Sequence, residues 1–135
     1  MEIQVGDHRQ VLESELRRHA TQEVSLEIVP DVADWAKANH VIVTGNPIGT
    51  SIPVRGQLPR AVVVRAKLNE EDLSGVLGRL DFRGYWGETR EMKKNPVMFL
   101  RHLVLHELAH LENSWDQSRE DDCDEWAFER LPGDA

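Results

Sequence analysis

Cysteine is nearly missing from this chain: its 135 residues hold one, Cys123, so no disulfide can form within it. Basic clusters are also scarce. Sixteen Lys and Arg stand against 24 Asp and Glu, a net charge of −8, and the basic stretches LRRHA and EMKK are too short for a phosphate-binding surface. A nucleic-acid partner is therefore not expected. Long apolar runs are lacking too, since 61–66 is short and 97–111 is interrupted by charge, so no membrane span is expected. The opening MEIQVGDH has neither the basic nor the apolar region of a signal peptide, which points to the cytoplasm. No repeat or low-complexity tract divides the sequence, and 1–135 reads as one domain with enough residues to bury a core without staples.

What is present is a mixture of helical and strand periodicities. Asp7 and Gln10 have capping-box spacing, and Val11, Leu12 and Leu16 follow at helical intervals, so 7–20 is predicted as a helix. Val24, Leu26 and Ile28 alternate with polar residues in a strand over 23–29, and Asp31 caps a short helix to 39 that carries Trp35 as a core anchor. A strand over 41–44 and a turn at 45–47 come next. Residues 48–60, with two glycines and two prolines, are predicted to hold a short strand around Ile52 and Val54. AVVVRAKL, 61–68, has the strongest strand signal, and its charges at Arg65 and Lys67 suit a sheet edge. Asn69 and Asp72 open a helix to about 80, DFRGYWGE reads as a glycine-broken loop, and Asn95 with Pro96 starts a long apolar helix. Together these make an α+β domain with a small mixed or antiparallel sheet packed on helices.

The long helix carries the chemistry. His106, Glu107 and His110 form H-E-x-x-H, and residues four apart lie on one helix face about 6 Å from each other. Two imidazoles so placed can grip one metal ion, while Glu107 is positioned as a base for water held there. Leu103, Val104, Leu105, Leu108, Ala109 and Leu111 surround the motif, so its ionisable groups are buried and need partners. Hydrogen-bonded core histidines with Glu107 in a salt bridge are the bland alternative.

Catalytic zinc usually keeps three protein ligands and one open position, so a further donor is required. Glu120 and Asp124 are four apart and would share one face of a last helix begun near 117 or 118, with Trp126, Ala127 and Leu131 packing inward. Glu120 is the first candidate for the metal, and Asp124 would then accept the second ring proton of a ligating histidine. Asp116 is the alternative ligand, with Asp122 and Cys123 behind it. Tyr85, His102 and Arg101 are candidates for stabilising an oxyanion or holding substrate, His102 lying one turn before His106 on the same face.

HELAH followed by EDDCDEWAFERL resembles the ImmA/IrrE-type gluzincin metallopeptidases, whose pattern is H-E-x-x-H and then a helix reading roughly E-x-x-A-N-x-F-A-x-E-L-L. The likeness covers about the last third of the chain. It sets Glu120 on the third zinc ligand, Cys123 on the small residue, Asp124 on the Asn, and Trp126 with Ala127 on the Phe-Ala pair. It implies a zincin-like fold, one Zn2+ per chain and hydrolysis of peptide bonds in a peptide or protein substrate, with Glu107 as general base and acid. HELAHLENSWD also resembles the compact zincin pattern H-E-x-x-H-x-x-G-x-x-D, with Asn113 in the glycine's place and Asp116 as ligand. Zincins further imply an edge strand that binds extended peptide, for which 61–68 is the candidate. The competing expectation is a catalytically silent zinc-binding or regulatory module on the same scaffold. Retention of Glu107 favours catalysis, because a structural site has no use for a base beside its ligands.

Overall fold

A computed structural model describes residues 2–45 and 47–131. The segment β1 (Ile3–Gln4) leads through a single 3-10 turn into α1 (Arg9–His19), β2 (Val24–Val29) and α2 (Val32–Ala38). Next come β3 (Gly49–Ile52), β4 (Arg60–Arg65) and β5 (Lys67–Leu68), then α3 (Glu70–Phe82), α4 (Trp86–Lys94), α5 (Pro96–Asn113) and α6 (Glu120–Arg130). The architecture is α+β. A mixed sheet has the order β2-β4-β3, with β2 parallel and β3 antiparallel to β4, and β1 pairs with β5 in a separate two-stranded ribbon.

Two apolar clusters divide the alternation of β4. Val62 and Val64 face the large core built with α1, α3, α4, α5 and α6, while Ala61 and Val63 face the smaller cluster around Val32 and Ile52, against which Trp35 packs half-buried. This two-sided burial explains why 61–64 are uniformly apolar, and it corrects the expected edge at 61–68. A strand buried on both faces occupies the middle of the sheet, with β2 and β3 pairing along its two sides. The stretch also breaks at Ala66, whose N–H reaches the Val29 carbonyl, so Lys67–Leu68 turns away to pair with β1.

Several helix starts follow local chemistry. Asn69 accepts from the Asp72 N–H while Asp72 accepts from the Asn69 N–H, a complete capping box, and Asp31 caps α2. Asn95 accepts from the N–H groups of Val97 and Met98, and Pro96 occupies the first turn of α5, where its missing N–H costs nothing. Other expectations fail. Asp7 lies within the 3-10 turn, and α1 starts at Arg9 without a side-chain cap. Residues 41–44 form no strand, and Val54 is exposed beyond the end of β3. The glycine-broken loop shrinks to a turn at Gly84, whose φ of +90° suits glycine, and α4 follows. Its buried Met92 and Thr89, the latter bonded to Asp81, dock it onto the core. No helix among the described residues is long and apolar enough to cross a membrane.

Candidate metal centre

Helix α5 is buried nearly all round, and the three ionisable residues of its motif are each less than a tenth exposed. Opposite them, α6 presents two carboxylates. Glu120 places Oε2 2.9 Å from His106 Nε2 and Oε1 2.8 Å from His110 Nε2, so both imidazoles converge on one carboxylate. The other ring nitrogens are engaged as well. His106 Nδ1 donates to Asp124 Oδ1 at 2.7 Å, and His110 Nδ1 donates to the Trp115 carbonyl at 2.9 Å.

These bonds fix the tautomers by elimination. A carbonyl and a carboxylate only accept, so each Nδ1 carries hydrogen and each Nε2 is the nitrogen left to face Glu120. Something electropositive must stand between Glu120 and the two Nε2 atoms: a proton on each, or one cation shared by all three. The donor set, two imidazole nitrogens with fixed second nitrogens and a carboxylate, suits a divalent metal such as zinc. Without a metal the protons are held strongly. Burial pulls both imidazoles down, but Asp124 and Glu120 push His106 up to about 10, and Cys123, Glu120 and the Trp115 carbonyl push His110 up to about 11. Burial raises Glu120, yet its two histidine partners outweigh that and lower it to about 2.

Asp124 is the hub behind the histidines. Wholly buried, it accepts from His106, from His102 Nε2 at 3.1 Å, from Arg79 at 3.1 and 3.2 Å, and from Arg83 at 3.4 Å. Burial opposes its charge, but the bonds from His102 and His106 hold the carboxyl well below the usual range. His102, lowered by burial, is neutral and donates through Nε2. Among the described residues two buried clusters could hold a metal by composition, His106 with His110 and Cys123, and His102 with His106 and Asp124. The two guanidiniums on Asp124 weigh against a cation in the second.

A cavity of about 180 Å³ opens beside the motif, lined by Ile48, Gly49, Val76, Phe99 and Leu103 together with His102, His106, Glu107, Glu120, Gln117 and Arg79. Burial raises the Glu107 carboxyl, and the neighbouring histidines counter this in part. Gly49 lies where β3 passes α5: a Cβ there would sit in ordinary contact, 3.4 Å from Leu103 Cδ1 and 3.6 Å from Glu107 Cγ, and only a larger side chain would crowd them.

The structure thus brings Glu120, Cys123, Asp124 and His102 to the motif and leaves four other candidates away from it, among them Asp122, which pairs with Arg119. Asp116 is exposed and turns its carboxylate to the Ser118 N–H and hydroxyl, and the left-handed residue before it is Ser114 rather than Asn113. Arg101 bonds Glu15 and the Leu131 carbonyl on another side of α5. Tyr85 stacks on Phe128, with ring centroids 4.5 Å apart, outside the cavity lining. Arg79, in the last turn of α3, and Arg83, its C-cap, escaped sequence reading, although their spacing of four was a usable signal. The Trp115 carbonyl had none. No family model matches the chain, and comparison with curated proteins and with solved structures finds no match either.

Proposed function

We propose that this protein is a zincin-like zinc metallopeptidase, similar in its motif to the ImmA/IrrE-type enzymes. The observation that carries the reading is the convergence of His106, His110 and Glu120 on one point, with Glu107 lining the cavity next to it. His106, His110 and Glu120 would hold the metal. Zinc, when bound, supplies the Lewis acidity that brings water toward deprotonation at neutral pH and polarises a peptide carbonyl.

The chain's own residues do the rest. Glu107 accepts the proton of the attacking water on its carboxylate and later delivers it to the departing amine, and its raised pKa suits a group that must both take and give. Asp124 holds His106 in the Nε2-facing tautomer, and the Trp115 carbonyl does the same for His110. Arg79 contributes a guanidinium to the cavity wall, where charge develops on a substrate oxygen. The extended peptide expected along 61–68 is better served by β3, because β4 is paired on both sides. A groove lined by Val43, Thr44, Pro47, Gly49, Thr50 and Gln117 runs beside β3 and shares Pro47, Gly49 and Gln117 with the cavity.

A second reading, a metal-binding module without turnover, draws support from the size of the cavity, which is below the ~300–1,000 Å³ common for ligand pockets. Metal analysis of the purified protein and cleavage of a peptide library by wild type and Glu107→Gln separate the two. Zinc in both proteins and cleavage by wild type alone supports the peptidase. Zinc with no cleavage by either supports the module, and failure to bind zinc overturns both.

A further inference from the structure

Glu120 and Cys123 approach the histidine pair from opposite environments. The Glu120 side chain is 33% exposed and lines the cavity, whereas Cys123 is fully buried on the next turn of α6 and lies outside the cavity lining. The Cys123 Sγ and one ring nitrogen from each of His106 and His110 lie within 4.8 Å of one another. In a tetrahedral zinc site sulfur and nitrogen ligands stand about 3.5 Å apart, so a small contraction suffices to bring the thiol onto the ion. Soft thiolate also matches zinc better than a second carboxylate would.

We propose that Cys123 is itself a metal ligand, donating a thiolate from the core so that His106, His110, Glu120 and Cys123 close a four-coordinate resting site. The proposal rests on the metal centre described under the proposed function and adds its regulation. A closed site leaves no position for substrate until a ligand departs. Glu120 is the ligand placed to leave, because it alone of the four is partly exposed and stands toward the cavity, while Cys123 is enclosed on the core side. A permanently closed structural site would have no use for Glu107 or for the cavity beside it. Their presence fits a latent enzyme whose metal is parked on sulfur.

Cobalt(II) provides the test, since thiolate ligation gives an intense near-ultraviolet charge-transfer band that nitrogen and oxygen ligands do not. The wild type loaded with Co2+ should show the band, and Glu120→Ala should keep it. Cys123→Ala should lose it while still binding cobalt, more weakly by at least the ~10–100-fold that loss of an outer partner costs. Its peptide cleavage per bound metal should exceed that of wild type. Cys123→Ser, close in size, controls for packing, with thermal unfolding as the check that both variants fold. Cobalt bound to wild type without the band overturns the thiolate ligand and leaves the peptidase reading standing. No cobalt binding overturns both.

Discussion

Raising the pH should tighten metal binding steeply, because the two nitrogens that would take the metal are the two that hold protons most strongly. In the metal-free arrangement each Nδ1 of His106 and His110 is committed to an acceptor and each Nε2 faces the Glu120 carboxylate, with the histidines pushed up to about 10 and about 11. A metal taking both Nε2 positions must expel two protons anywhere below that range. Two protons displaced correspond to an apparent association constant rising about 100-fold per pH unit, or about 2.7 kcal/mol. Working in Cys123→Ala confines the count to the imidazoles. Zinc titrations between pH 7 and 9, with calorimetry in two buffers of different ionisation enthalpy, give the slope and the protons released. Histidines at their ordinary value of about 6.5 would already be neutral there, so a flat profile with almost no proton release would refute the reasoning. The stability of the metal-free protein moves the opposite way with pH. Histidines raised above their unfolded value contribute in full below about pH 6.5, and that contribution is lost as pH rises through about 10 and 11. Stabilisation by added zinc, read as a shift in the unfolding midpoint, should therefore grow from pH 6.5 upward.

Asp124→Asn removes the charge behind His106 while keeping the shape of the side chain, and zinc affinity measured by chelator competition should fall about 10–100-fold. Glu120→Ala should weaken zinc binding in the same assay whereas Asp116→Ala leaves it unchanged, since Asp116 faces solvent; the reverse result would relocate the ligand. Gly49→Val would crowd Leu103 and Glu107, so kcat/KM should drop by about 100-fold with zinc affinity unaltered, as expected when a reacting group is displaced without losing its ligands. In acid the sign is opposite to that of the histidines: Asp124 and Glu120 are lowered in the fold, so their contribution is present above their ordinary carboxylate range and lost as pH falls through the folded values, which an acid-unfolding titration of wild type against Asp124→Asn should register.

The chain by itself determined whatever depends on neighbours in sequence. The motif helix was legible because H-E-x-x-H needs only the helical repeat to put His106 and His110 on one face, and because Asn95 and Pro96 mark its start. Glu120 and Asp124 were legible for the same reason, being one turn apart on α6. Local turn chemistry also fixed the capping box at Asn69 and Asp72, though not the one expected at Asp7 and Gln10. Contacts between distant segments were decided by tertiary packing alone. Asp116 and Glu120 are both near His110 in sequence, and a left-handed residue at Ser114 with a capping turn after it sends one outward and brings the other in. The charges of 61–68 suited an edge, yet burial on both faces put β4 at the sheet's centre, because strand order depends on what covers each face and not on the strand's own composition. Arg79 and Arg83, 41 and more residues before Asp124, meet it only because the folded chain brings the C-terminal end of α3 within side-chain reach of α6. Periodicity can place a side chain on its own helix; what stands opposite is set by the shape of the whole core.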